Sequence, residues 1–195
     1  MVIINKYNKI KERSPERSFY KMIMLKRNAI LTTRNLILKP IEYCDKNEVF
    51  SVFENALVAK TYMVPVFKDE EAREKFLLRL IENTQKVERF CYGIYLNKTF
   101  IGLLNDVEVK DDEVEVGYCL HPKFWNKGYA TEALKVAIDE LFAIGYKTVM
   151  AAHFIENPAS GRVMQKCGMS KIDKTEVIEY QGSKHPCIYY AITNK

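Results

Sequence analysis

The sequence predicts an α+β (mixed α/β) domain: one central mixed sheet, mostly antiparallel, of six to seven strands, flanked by about four helices. Three observations lead there. Apolar residues alternate in several short runs and recur at three- and four-residue spacing in others. The short turns at Asn97-Lys98 and Gln181-Gly182 join strand-like runs into hairpins. The elements follow as strand, helices, three strands, helix, strand, helix and two strands, an order that requires a mixed sheet.

The first strand is read from "ILTTRNLILKPI" (30–41), stopped by Pro40. A helical region from about Asp45 to Thr61 breaks off before Pro65. "DEEAREKFLLRLIENTQKVE" is a strong helix, with Ala72, Phe76, Leu77, Leu80 and Ile81 on one face and acids in its first turn. "RFCYGIYL", "TFIGLLNDVEV" and "EVEVGYCL" form a three-strand meander. A helix between Gly128 and Gly145 carries Ala130, Ala133, Leu134, Ala137, Ile138, Leu141 and Phe142 in register. "KTVMAAHF" is a nearly unbroken apolar strand. Asn157 as cap and Pro158 as first helical residue open the last helix, which Gly168 closes. "IDKTEVIEY" and "HPCIYYAIT" make the final hairpin.

Composition narrows the function classes. The 195 residues suit one domain with a substantial core. No apolar run is long enough to cross a bilayer, and no secretory pattern opens the chain, so a cytoplasmic location is expected. Cys44, Cys91, Cys119, Cys167 and Cys187 are dispersed singly, which argues against disulfides and a structural metal site. Residues 1–28 hold eight Lys/Arg against two Asp/Glu, net +6; the overall charge is +5, so residues 29–195 carry −1. The basic excess therefore belongs to an N-terminal extension, 1–28, ahead of a nearly neutral domain, 29–195. That balance argues against a nucleic-acid-binding domain.

One junction asks for chemistry. In "EVGYCLHPKFWNKGYATEALKVAIDELF", Lys127 and Gly128 stand where a helix begins. The first N–H groups of a helix lack internal partners and the dipole makes that end positive, so a lysine there leaves an anion unaccounted for. Gly128 lets a ligand approach the backbone, and Asn126 is a candidate cap. A pyrophosphate satisfies several such donors at once. A tight turn with its lysine in solvent is the competing reading. Neither a P-loop nor a dinucleotide fingerprint is present.

"VEVGYCLHPKFWNKGYATEAL" followed by "ENPASGRVMQKCGM" resembles the GCN5-related N-acetyltransferase superfamily, in the branch of the ribosomal-protein N-terminal (alanine/serine) acetyltransferases. "LTTRNLILKPI" resembles the way that branch begins, and the similarity runs over about 29–195. The resemblance implies that acetyl-CoA is the cosubstrate, with no metal. It implies that its pyrophosphate is held by the backbone of "WNKGYA" and Thr131. Trp125 stands at the family's Arg/Gln position, Gly128 and Ala130 match, and Asn126, Lys127 and Tyr129 complete the loop. The strand ending at Tyr118, Cys119 and Leu120 is expected to splay from a parallel "TVMAAHF" and pair with the pantetheine arm, with the Cys119 N–H facing the thioester oxygen. Asn157 is expected on that arm and Ser160 as acid to the leaving thiolate, because the family's tyrosine position is Met164 here.

Glu115 is the candidate for accepting the amine proton, through water. Val114 and Val116 share one strand face and Glu115 and Gly117 the other, so valines in the core leave Glu115 in the cleft. The blander reading counts Glu115 with Asp111, Asp112 and Glu113 on a solvated strand, and Ser160 as a helix residue satisfying backbone. His153 reads as a structural histidine, His121 as a turn residue and the Cys119 thiol as inert packing. Expected partners are acetyl-CoA and an amine acceptor, either a protein N-terminus or a small molecule. A homodimer is allowed, and neither membrane nor nucleic acid is expected. A non-catalytic acyl-CoA-binding or sensing domain is the alternative function; a ribosome- or RNA-docking arm at 1–28 is a third.

Overall fold

The computed structural model describes residues 27–194. Apart from Arg27 and Asn28, the basic segment expected at 1–28 lies outside the described residues. Arg27 donates to the carbonyls of Thr84 and Lys86 at 2.6 and 3.1 Å, and Asn28 donates to the Glu140 carboxylate at 2.6 and 2.8 Å.

The described residues form β1 (Leu31–Thr32), β2 (Leu36–Lys39), α1 (Lys46–Phe53), α2 (Ala56–Ala59), α3 (Glu70–Gln85), β3 (Cys91–Leu96), β4 (Thr99–Lys110) and β5 (Glu113–Leu120). They continue with α4 (Tyr129–Ala143), β6 (Thr148–Phe154), α5 (Pro158–Lys166), β7 (Ser170–Tyr180) and β8 (Ser183–Thr193). The sheet has eight strands in the order β1-β2-β3-β4-β5-β6-β8-β7, antiparallel throughout except for β5 with β6. The mixed, mostly antiparallel class stands as expected.

The strand count is eight rather than six to seven because the run at 30–41 is two strands, not one. Its middle, Thr33–Asn35, turns to meet α4: the Thr33 hydroxyl, the Asn35 N–H (2.7 Å) and the Asn35 side-chain amide (2.9 Å) all donate to Glu132. β1 then folds back onto β2, Leu31 opposite Leu38. Five helices surround the sheet rather than four, because the helical region near 45–61 divides into α1 and α2. Asn55 accounts for the division, since its side chain caps α2 by accepting from the Leu57 N–H at 3.0 Å.

Two apolar layers cover the sheet. On one face α4 buries Ala133, Leu134, Ala137, Ile138 and Leu141 against Leu38, Ile94, Leu104, Val114, Val116 and Val149. On the other, α1 and α3 bury Val49, Phe50, Val52, Phe53, Leu77 and Leu80 against Tyr95, Leu103 and Cys119. Burial at about 25 cal/mol per Å² makes these layers the main driving force for folding. Asp69 caps α3 by accepting from the Ala72 N–H at 2.8 Å. The expected two-residue turns are present, with positive φ at Asn97 and at Gln181 and Gly182.

Candidate active site

The site arises where the sheet comes apart. β5 and β6 pair only from Glu113–Glu115 to Thr148–Met150. Beyond that point Val116–Leu120 follows β4 and Ala151–Phe154 follows β8, leaving facing strand edges unpaired with one another. A cavity of about 570 Å³ fills the gap. It is lined from both faces of the sheet: Tyr118, Ser160 and Val163 on the side of α4 and α5, Glu115, Gly117 and Phe154 on the other.

At one end lies the loop into α4. Gly128 sits at the N-cap position with φ 85°, no side chain caps the helix, and a Cβ on Gly128 would meet nothing within 4 Å. Asn126 is also left-handed, φ 59°, so the chain turns sharply twice in three residues. Among the described residues no backbone carbonyl accepts from the N–H groups of Asn126, Lys127 or Gly128. The expected Asn126 cap is therefore absent; Gly128, with no side chain, holds the cap position, and the helix end stays open. This cradle of bare donors at a helix dipole suits a pyrophosphate. Trp125 pins the loop through Nε1, which donates to the Leu120 carbonyl at 2.7 Å.

Of the residues singled out from sequence, Glu115, Cys119, Leu120, Trp125, Asn126, Gly128, Tyr129, Ala130, Thr131, Asn157 and Ser160 line this cavity. Lys127 does not: its ammonium lies 5.7 Å from the Phe124 ring centroid, over the ring. The Cys119 amide also departs from expectation. The His121 N–H bonds to Ile101 of β4 and Cys119 pairs with Leu103 of β4. Strand alternation thus turns the Cys119 amide toward β4 and the Tyr118 and Leu120 amides toward the gap. The Cys119 thiol packs among apolar groups, and burial pushes it up to about 12.

Val114 and Val116 are 0% and 2% exposed in the core, so alternation delivers Glu115, 7% exposed, to the opposite face. Lys174 of β7 reaches over from the sheet edge, its ammonium 3.8 Å from Glu115 Oε2 and 4.0 Å from the Tyr189 ring centroid. The Tyr189 hydroxyl in turn bonds Glu176 at 2.7 Å.

Asn157 caps α5, its side chain accepting from the Ser160 N–H at 3.4 Å. The Ser160 hydroxyl turns to Tyr118, 2.8 Å from the phenol oxygen, while that phenol also bonds the Ser160 carbonyl at 3.1 Å. Burial pushes the Tyr118 phenol up, against the pull of the Ser160 bond. His153 donates through Nδ1 to the Phe154 carbonyl, 2.7 Å away, and stacks on Tyr190. His121 accepts from the Lys123 N–H in a turn, as expected.

Sequence reasoning missed several lining residues. Arg162 and Lys166, four apart on α5, add positive charge to the cavity lining, and that spacing was the available signal. Tyr62 crosses to Asn105 Oδ1 at 2.7 Å and would lie 3.5 Å from a Cβ on Gly117. Burial pushes its phenol well above the usual range. Val64, two residues on, bonds the Tyr180 hydroxyl at 3.2 Å, drawing the loop before α3 onto the β7–β8 hairpin. Nothing local in the sequence announces these contacts.

The family model described as the acetyltransferase (GNAT) domain matches residues 35–170. The uncharacterized N-acetyltransferase YoaA of Bacillus subtilis (strain 168) is 27% identical over 169 residues, 84% of this chain and 96% of that protein. RimL, a ribosomal L7/L12 alpha-N-protein acetyltransferase, superposes with TM-score 0.73 at 17% identity, covering 85% of this chain and 94% of its own. The microcin C7 self immunity acetyltransferase MccE, solved with acetyl-CoA and AMP, gives 0.70 at 16%, covering 83% and 94%. The last two likenesses speak to the fold; the family match, over the splayed strands and the open helix end, speaks to kinship, and the chain belongs to the acetyltransferase (GNAT) family.

Proposed function

We propose that the protein is an acetyl-CoA-dependent N-acetyltransferase that moves an acetyl group directly to a primary amine. The observation that carries the reading is the gap between β5 and β6, open to both faces, with bare helix N–H groups at one end and Glu115 at the other. When bound, acetyl-CoA supplies a thioester carbon open to attack. Backbone donors from Asn126 to Thr131 hold its phosphates, with Arg162 and Lys166 adding charge at the rim. The amides of Tyr118 and Leu120 and the side chain of Asn157 orient the pantetheine arm. Lys127 contributes field rather than contact.

Glu115 accepts the proton that the amine sheds on attack, through water. Ser160 returns a proton to the departing sulfur and is resupplied by Tyr118, whose hydroxyl it touches. No nucleophilic cysteine is needed, and Cys119 is too strongly protonated at neutral pH to serve as one.

The test is thiol release from acetyl-CoA across a panel of amines, alongside calorimetric binding of coenzyme A. Amine-dependent release is expected. Tight coenzyme A binding without turnover on any amine returns the protein to an acyl-CoA-sensing role. No binding at all defeats both readings.

A further inference from the structure

Glu115 is the one carboxylate among the described residues lining the transfer cavity, and Lys174 already meets its charge at 3.8 Å. The wall on the same face of the sheet is mostly apolar, Met63, Val107, Phe154 and Ile178, and the Tyr62 hydroxyl there is already bonded to Asn105. Beyond Lys174 the character changes. A second cavity of about 330 Å³ is bordered by Glu108, Lys110, Glu113, Met150 and Lys174 itself. Glu108 stands opposite Glu115 in the β4–β5 register and Glu113 two residues along, so these carboxylates share a face. The same register sets Lys110 opposite Glu113, so Lys174 stands between a cleft with one compensated charge and a groove that carries two further acids and one further lysine. The Tyr189 ring, 4.0 Å from its ammonium, holds it there.

Building on the transferase reading, we propose that the acceptor is a lone primary amine on a neutral, apolar body, and that Lys174 sets this preference by closing the cleft off from the groove that holds Glu108 and Glu113. A second ammonium on the acceptor finds no free carboxylate within the cavity and must be desolvated against apolar side chains, which is costly. A single amine needs only Glu115: its nitrogen forms the bond to the acetyl carbon, the carbon–sulfur bond breaks, the amine proton passes to Glu115 and then to solvent, and the thiolate takes a proton from Ser160, which Tyr118 and then solvent restore. With Lys174 removed, Glu115, Glu113 and Glu108 are set against Lys110 along this stretch, leaving a net negative track that a diamine or polyamine can straddle.

The experiment compares kcat/KM for 2-phenylethylamine, leucine amide and a pentapeptide with an apolar first residue against putrescine and spermidine. It uses the full chain, its Lys174→Met variant and its Lys174→Arg variant. The wild-type protein is expected to favour the monoamines. K174M should improve the polyamines relative to the monoamines by about tenfold or more, mostly through KM, the scale of a newly exposed charged partner. K174R should keep the wild-type order. Comparing the pentapeptide with the two small monoamines separates a peptide N-terminus from a free amine as the natural source. Wild-type preference for polyamines, or no relative gain for the polyamines in K174M, overturns the inference while leaving acetyl transfer intact. If no amine is turned over, the transferase reading fails instead. Calorimetry of the same amines with the coenzyme A-loaded protein then decides the inference: tighter monoamine binding upholds it, tighter polyamine binding overturns it.

Discussion

The hydroxyls of Tyr118 and Ser160 lie 2.8 Å apart, joining β5 to the first turn of α5 across the gap that divides the sheet. The phenol has one proton and two acceptors within reach, the Ser160 hydroxyl and its carbonyl at 3.1 Å. While that proton rests on the carbonyl, the serine donates to the phenol. A shift of the phenol proton to the serine would free the serine proton for the departing sulfur, the role proposed for it.

Ser160→Ala is expected to lower kcat by about ten- to a hundredfold, at the low end for a general acid, with little change in the dissociation constant of coenzyme A. Tyr118→Phe should lower kcat less. The double variant should cost less than the product of the two single losses, as groups acting in one chain do. Rapid-quench kinetics with calorimetry measures this. Independent, multiplying losses would separate the two hydroxyls.

Gly128→Glu is expected to raise the coenzyme A dissociation constant by about tenfold or more, since a carboxylate is set against phosphate at the helix end. Gly128→Ala serves as control. Its left-handed φ of 85° costs a Cβ about 1–2 kcal/mol, but the open surroundings cause no clash. G128A should therefore lose stability in thermal denaturation while losing little affinity.

Glu132 gives a pH prediction. Burial pushes its carboxyl up, but bonds from Asn35 and Thr33 outweigh that and hold it below the usual glutamate value. A carboxyl held low in the folded state adds stability above its unfolded value, about 4.3, and loses it as pH falls through the folded value. Glu132→Gln should melt below the wild-type protein at pH 7, and the difference should close below about pH 4. A gap that persists in acid would count against the charged contact.

Gly161→Ala tests how tightly α5 sits on β6. A Cβ there would lie 2.6 Å from His153 Nε2, on a ring stacked against Tyr190. The substitution normally favours a helix, yet it should destabilise by about 1–3 kcal/mol through overpacking. It should also lower kcat by moving Ser160 from Tyr118. His153→Ala in the same chain should recover part of the stability in urea denaturation.

Much of this was legible in sequence because it is local. The helical faces of α3 and α4, the Asn157-Pro158 start and the turns at Asn97 and Gln181 are set by neighbours a few residues apart, where spacing and φ preference act directly. The open loop into α4 was legible for the same reason: strand, glycine and helix start are contiguous. Alternation along β5 also placed Glu115 correctly once its valines were assigned to the core. The break at Thr33–Asn35 was not legible, because its cause is Glu132, some hundred residues away on α4.

The sequence by itself determined the order and kind of the elements, the open end of α4 and the side of β5 on which Glu115 stands. Tertiary structure alone decided which groups meet across the gap: Tyr118 with Ser160, Lys174 with Glu115, and Tyr62 with Asn105. The physical reason is range. Periodicity and capping are energies between residues adjacent along the chain, whereas these contacts depend on where β5 parts from β6 and how far β7 reaches over the sheet, and only the packed domain sets those distances.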